Sequence, residues 1–258
     1  MKLILGLQAA GKRILFPVYV SMIIGIPIFC MGAGYADSIK KQEHKQFNIA
    51  IDLLAFYPLE ANADYAVTLC ADLPDNNNPE CVYKKKEPGH VFLILRKHEL
   101  STGNILAISF GFYPRVPVTC LFKKVRSKIM DNSGREYNAS IEKTLTKEEF
   151  ELVIEKCKEL SKRKYNLKKF NCYEYALGVF NSLPGIEKLP VSDVKFPFIL
   201  GRGGSPAGLY RDFKKLVSAG SPWAPFIRFG LFRSPASSLP TGRQVIVKVN
   251  YPDQNQIK

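Results

Sequence analysis

The sequence predicts an α+β fold in which an antiparallel sheet packs against helices. Two apolar segments, residues 90–95 (HVFLIL) and 105–113 (ILAISFGFY), are separated by a polar turn and predict a β-hairpin. Helix-start signatures follow at Thr146 and Asn171. A chain of 258 residues with 46% hydrophobic content is large enough to bury the core of one domain.

The first 36 residues have the layout of a secretory signal peptide. Their charged residues are all basic, an apolar run fills residues 14–31, and Gly34-Tyr35-Ala36 ends the segment. Cleavage after Ala36 would leave a mature domain of residues 37–258. The apolar run of 18 residues is also long enough to span a bilayer as an uncleaved anchor. We therefore expect an exported chain, periplasmic or secreted, with residues 14–31 as a membrane anchor if the leader is kept.

The formal net charge of +14 favours an anionic partner, such as a wall polymer or an anionic surface or lipid. A solvated basic surface explains the same charge equally well. No nucleic-acid-binding motif accompanies the charge, so nucleic acid is not expected as a partner. The oligomeric state has no signal in the sequence.

The strands are predicted in chain order from apolar, β-branched and aromatic segments. A polar loop over residues 70–88 separates the first two from the hairpin, and further strands follow it. The predicted strands are residues 47–57, 65–69, 90–95, 105–113, 118–123 and 137–142, with a late strand at 243–249.

Three helices are predicted after the hairpin. Thr146 with Glu149, and Asn171 with Glu174, match the capping-box pattern in which each N-cap and the residue three places on bond reciprocally. Ser205-Pro206 predicts a cap and first residue of a third helix, which runs through Val217. The single domain thus has a core at residues 88–183 and a C-terminal helix and tail at 205–258.

The mature chain has five cysteines, an odd number, which leaves at least one thiol unpaired in an oxidising compartment. A disulfide between Cys70 and Cys81 would close the polar loop, and Cys120 with Cys157 is a second candidate pair. The spacings of cysteine and histidine lack the close ligand pairs of structural zinc sites. We predict neither a metal nor a cofactor.

Cys172 is the candidate nucleophile, because it is the cysteine predicted in the first turn of a helix. The positive end of a helix dipole and a nearby imidazolium both lower a thiol pKa. His90 opens a predicted strand and is the candidate base. If the hairpin is centred near residue 100, Ser109 and Gly111 face His90, so Ser109 is a candidate orienting group and Tyr113 a poorer one.

These segments, GHVFLIL, ISFGFYP and YNLKKFNCYEYALGVF, resemble the circularly permuted NlpC-type, papain-like thiol hydrolases. The order of histidine strand, polar strand and nucleophile helix is shared with lecithin retinol acyltransferase-like proteins. The resemblance covers about residues 88–183. It implies a papain-like fold with Cys172 as nucleophile, His90 as base and Ser109 at the third place, where such families usually have His, Asn, Gln or Glu. Tyr165 would add a hydroxyl to the oxyanion site.

The function expected from this resemblance is an exported thiol hydrolase that cleaves amide bonds in a cell-wall peptide or a protein. Two alternatives stay open. One is a lipid acyltransferase or lipase-like enzyme at the membrane, and the other is a non-catalytic binding module on the same fold.

Overall fold

The computed structural model describes residues 46–84, 87–185, 187–197 and 201–237. The predicted leader at residues 1–36 and the late strand at 243–249 lie outside this part of the chain. Within the described residues, no helix has the length and apolar character needed to cross a membrane.

An antiparallel sheet of seven strands forms the centre of the described chain. The strand order is β1-β5-β4-β3-β2-β6-β9, and each neighbouring pair is antiparallel. A separate two-stranded ribbon joins β7 to β8. The strands are β1 (Gln46–Phe47), β2 (Ala63–Asp72), β3 (His90–Glu99), β4 (Ile105–Pro114), β5 (Ser127–Asp131), β6 (Glu136–Leu145), β7 (Val194–Lys195), β8 (Arg202–Gly203) and β9 (Ile227–Arg233).

The predicted α+β class with an antiparallel sheet is confirmed. The burial of the central strand β3 explains why its sequence is so strongly apolar. Alternate residues of β3 point to opposite faces of the sheet. Val91, Leu93 and Leu95 are fully buried in the main core, which lies under the helices. Phe92 and Ile94 are buried in a smaller cluster with Cys70. Because both faces are covered, the strand is apolar throughout its first half.

Four α-helices lie within the described residues: α1 (Ile49–Asp52), α2 (Lys147–Ser161), α3 (Cys172–Phe180) and α4 (Pro206–Ser218). The capping boxes predicted at Thr146 and Asn171 are both present, and Ser205 caps α4 by accepting from the N–H of Gly208. The buried faces of α2 and α3 join the main core, with α3 against β3 and β4. These helices form a layer on one face of the sheet.

Two of the predicted strands are wrong. Residues 47–57 form only the short β1, then α1 and a 3-10 turn at Leu53–Phe56. Ile49, Leu53 and Phe56 are the buried residues of this segment's turns, and their spacing of four and three residues fits a helix and not a strand. Residues 118–123 contain a 3-10 turn at Val118–Leu121. Conversely, β9 pairs with β6 at a sheet edge for which no strand was predicted.

Candidate functional site

Cys172 is the first residue of α3, as the cap signature predicts. The Asn171 side chain accepts a hydrogen bond from the N–H of Tyr173 at 2.6 Å. Its amide group donates to the carbonyls of Leu167 and Gly204 at 2.8 and 2.9 Å. The two amide bonds anchor the residue before the thiol to two different loops, and the first bond caps the helix. Cys172 is therefore held in one place, and its residue is 9% exposed.

The thiol lies where β3 and β4 separate. The two strands pair from His98–Ile105 as far as Phe92–Gly111, although both continue beyond that point. The backbone of Val91 lies close enough to the Cys172 sulfur to lower the pKa of the thiol. Val91 directly follows His90, so the structure brings the predicted nucleophile and base to the same end of the sheet.

The imidazole of His90 is held by its neighbours on β4. Its ring stacks on Tyr113, with ring centroids 4.2 Å apart and an interplanar angle of 24°. It also lies over Gly111, where an added Cβ would be 2.2 Å from His90 Nε2. Only glycine leaves room for the ring in this position. His90 is 4% exposed, so solvent contributes little to its orientation.

A buried polar network continues from Tyr113. The Tyr113 hydroxyl donates to Asn132 Oδ1 at 3.0 Å and accepts from Arg135 Nη1 at 3.4 Å. Arg135 donates to Asp72 Oδ2 from Nε at 2.9 Å and from Nη2 at 2.6 Å. Asp72 is in turn the β2 partner of His90. The network therefore surrounds His90 from both neighbouring strands and from the turn after β5.

The electrostatics of the thiol differ from the expectation of a low pKa. Burial is the largest influence and raises the pKa of Cys172 to about 11, with a smaller upward contribution from the Glu174 carboxylate. The Val91 backbone and the Arg135 guanidinium act in the opposite direction, but they do not outweigh burial. The predicted low pKa is thus corrected, because the helix start lies inside the protein. The resting group at neutral pH is the thiol.

The hairpin register corrects the placement of Ser109. His98 pairs with Ile105, so the hairpin is centred between residues 101 and 102 and not near residue 100. Ser109 consequently pairs with Ile94, and the Ser109 hydroxyl donates to the carbonyl of Pro235 at 3.4 Å. Gly111 and Tyr113 are the β4 residues beside the imidazole. Ser109 is therefore displaced along the strand from His90.

Tyr165, expected near the oxyanion, is buried in the aromatic core. Its ring stacks on Phe112 with centroids 5.5 Å apart, and its backbone bridges to Val125.

All five cysteines of the described chain are free thiols. Cys70 is buried beside Phe92 on one face of the sheet, whereas the Cys81 thiol donates to the carbonyl of Tyr83 at 3.2 Å. The predicted disulfide between Cys70 and Cys81 is not formed in this structure. Cys120 lies near the site, since the charge of Cys172 contributes to raising the pKa of Cys120 to about 12, after burial as the main cause.

Asn132 and Arg135 are site residues that the sequence analysis missed. They lie in the turn between β5 and β6, where Asn132 is part of the segment Asp131-Asn132-Ser133-Gly134 and Arg135 directly follows it. Such a segment is typical of a turn for backbone reasons alone. Asn132 is 0% exposed, and the complete burial of a polar side chain indicates a further role. This burial can be seen only in the folded structure.

The arrangement holds the kinds of group that proton transfer and nucleophilic attack require. It contains a thiol, an imidazole on the residue before Val91, whose backbone lies beside the thiol, and a guanidinium whose charge reaches the sulfur. No family model, curated protein or solved structure matches this chain. The function is therefore inferred from these residues.

Proposed function

We propose that this protein is an exported thiol hydrolase that cleaves amide bonds, with Cys172 as nucleophile and His90 as base, on a permuted NlpC-type papain-like fold. The observation that carries the proposal is that the Val91 backbone lies beside the Cys172 sulfur and lowers the pKa of the thiol. The start of the nucleophile helix is thus next to the residue that follows the base. The substrate class is a cell-wall peptide or a protein, as expected for an exported, basic chain.

The first step begins from a neutral thiol, because burial raises the pKa of Cys172 to about 11. His90 takes the thiol proton as sulfur attacks the carbonyl carbon of the amide. The carbonyl π electrons move to oxygen and then return as the C–N bond breaks. The imidazolium gives its proton to the departing amine, which leaves a thioester on Cys172.

The second step uses the same base. His90 removes a proton from water, whose oxygen attacks the thioester carbonyl. The C–S bond breaks, the carboxylic acid leaves, and the proton on His90 returns to the sulfur. Arg135 stabilises the negative charge that develops near the sulfur, since its guanidinium already lowers the cost of the thiolate.

The residues around His90 act by positioning it. Tyr113 supports the ring face, and Asn132 and Arg135 fix the Tyr113 hydroxyl. Burial raises the pKa of Tyr113 to about 12, so its hydroxyl stays protonated and keeps donating to Asn132 at neutral pH. These contacts orient the His90 ring, which is the role that the sequence analysis expected of Ser109.

One observation favours the lipid acyltransferase alternative. Val116 is 51% exposed and Phe122 is 67% exposed, on the loop that also holds Cys120. Lys123 and Lys124 directly follow and are exposed. Apolar side chains next to cations are typical of surfaces that contact anionic bilayers. On this alternative, Cys172 would attack a lipid ester, and the acyl group would pass to a second acceptor instead of water.

The deciding experiment is a search for the acyl-enzyme in the purified mature domain. The domain is mixed with amide substrates based on wall peptides, and with anionic lipid vesicles in parallel, then quenched in acid and mapped by mass spectrometry. We expect an acyl adduct on Cys172 that His90→Gln lowers at least about a hundredfold, the usual scale of general acid–base catalysis. An adduct from lipid alone would favour the alternative.

The matched control is Cys157→Ser, which alters another buried thiol, on α2. It should leave the adduct unchanged, whereas Cys172→Ser should abolish it. If wild-type protein forms no adduct with either substrate class, and Cys172 is unreactive or oxidised, the catalytic proposal fails and the binding-module reading is favoured.

A further inference from the structure

A basic groove lies beside the start of β5, where the Ser127 hydroxyl is bonded to the carbonyl of Arg163. It has a volume of about 280 Å³, close to the lower end of the range of about 300–1,000 Å³ that is common for small-molecule sites. The groove is lined by Lys124, Arg163, Lys164, Asn166, Lys169 and Phe170. Four of these six residues are cationic. Its size suits a small charged group more than a whole drug-sized ligand.

The four cations of the groove are not neutralised by the described residues. None of them has a carboxylate within 4.0 Å among the ion pairs of the described chain. By contrast, Lys156 and Lys158 on the preceding helix α2 each pair with a glutamate at 2.7 Å. Bringing like charges together without partners is unfavourable. An anionic ligand would remove this repulsion.

The groove is also preorganised. The Arg163 guanidinium lies over the Phe170 ring, with its Cζ 3.7 Å from the ring centroid, and this cation–π contact restricts its position. Ser127 donates to the carbonyl of Arg163 at 2.7 Å and fixes its backbone to β5. The turn from Asn166 to Phe170 is closed by backbone bonds from the N–H groups of Lys169 and Phe170 to the Asn166 carbonyl at 3.2 and 2.9 Å. Less side-chain and loop entropy is then lost when a ligand binds.

We infer that this basic groove binds a ligand that carries adjacent phosphate groups. A guanidinium fork matches two phosphate oxygens, and lysine ammonium groups add point charges around them. Several cations in one small volume favour a pyrophosphate-like group over a single carboxylate. The shared chemistry is a phosphate group, supplied by a soluble phosphorylated molecule or by a lipid headgroup.

The groove does not depend on the proposed chemistry of Cys172. Phe170 precedes the thiol by two residues, but none of the lining residues belongs to the network around His90. Cys172→Ser should therefore bind the phosphate ligand as tightly as the wild type. A failure of the thiol chemistry and a failure of the groove are thus separable results.

The test is a calorimetric titration of the purified chain with inorganic pyrophosphate, and with inorganic phosphate for comparison. We expect saturable binding of one pyrophosphate, tighter than phosphate and weaker at high salt. Arg163→Gln/Lys169→Gln should lower the affinity at least about tenfold, which corresponds to about 1.4 kcal/mol. The charge-preserving Lys164→Arg/Lys169→Arg should stay within about threefold of the wild type, which shows that charge and not folding is responsible; Arg163 is kept, because lysine does not replace its guanidinium fork.

The control is Lys214→Gln/Arg228→Gln, which removes two exposed cations by α4 and the opposite edge strand β9. It should change the affinity less than about twofold, because screened charges that far away contribute little. Absence of saturable pyrophosphate binding, or an equal loss in the control, overturns the inference.

Binding to vesicles that contain phosphatidylglycerol then shows whether the phosphate group belongs to a lipid or to a soluble molecule. If pyrophosphate displaces the protein from them, a lipid headgroup occupies the groove. If vesicle binding is absent or resists pyrophosphate, while pyrophosphate itself binds, the ligand is soluble.

Discussion

Replacing Gly111 with alanine tests whether the position of the His90 ring matters for chemistry. The new Cβ would lie 2.2 Å from His90 Nε2 and 2.8 Å from Asn132 Nδ2. Ordinary van der Waals contact needs at least 3.4 Å. The imidazole must therefore move by about 1 Å or more, a displacement that can lower the rate of a positioned reaction about a hundredfold.

The change should cost much less in stability than in activity. Adding a methyl group to a packed core typically costs about 1–3 kcal/mol. Gly111 pairs with Phe92 on one side and Met130 on the other, so the strand itself has no need to break. We expect a folded variant with a modestly lower melting temperature and a Cys172 acyl-transfer rate reduced about a hundredfold.

Gly178→Ala on α3 provides the matched control. There the new Cβ would be 3.2 Å from Leu160 Cδ1, the end of a flexible side chain, and alanine favours a helix over glycine by up to about 1 kcal/mol. Rates of adduct formation and melting temperatures are measured for both variants. A Gly111→Ala protein that is folded and fully active would refute the assignment of His90 as the base.

Three further predictions concern the Cys172 thiol, the buried polar network and the α2 cap. Alkylation of Cys172 by iodoacetamide should accelerate about tenfold per pH unit between pH 7 and 10, because only the thiolate reacts and the thiol pKa is about 11; a plateau by pH 7 would contradict this. Asp72→Asn should lower the free energy of unfolding by about 2–3 kcal/mol in urea, since it weakens the charge-assisted bonds to a buried Arg135, and a loss under 0.5 kcal/mol would count against the network. Thr146→Ala should cost about 0.5–2 kcal/mol through loss of the α2 cap, with acyl-adduct formation unchanged in the folded protein.

The helix starts could be predicted because their causes are local. A capping box needs only two side chains three residues apart, so Thr146 with Glu149 and Asn171 with Glu174 are visible in the sequence. The strand prediction for residues 47–57 was wrong for the opposite reason. It is apolar without strict alternation, and a short apolar run does not by itself distinguish a strand from a buried helical turn.

The positions of Cys172 and His90 in the fold could be predicted, but the residues that surround them could not. Cys172 and His90 follow from the cap signature and from the start of an apolar strand. The third position depended on the hairpin register, and a shift in the centre of the turn replaced Ser109 with Gly111 and Tyr113 beside the imidazole. Register is set by turn geometry, and the turn sequence here did not specify it.

Burial also explains why the thiol pKa differed from the sequence-based expectation. A helix N-terminus and a nearby cation favour the thiolate, and both are present at Cys172. The desolvation of a residue that is only 9% exposed opposes them and is larger. A substrate that enters the site therefore meets a neutral thiol, so in the proposed mechanism proton transfer to His90 accompanies attack. On that mechanism, His90 is needed for the chemical step itself, and not only for maintaining a resting ion pair. Its loss should then lower the rate of acylation more than it lowers substrate binding.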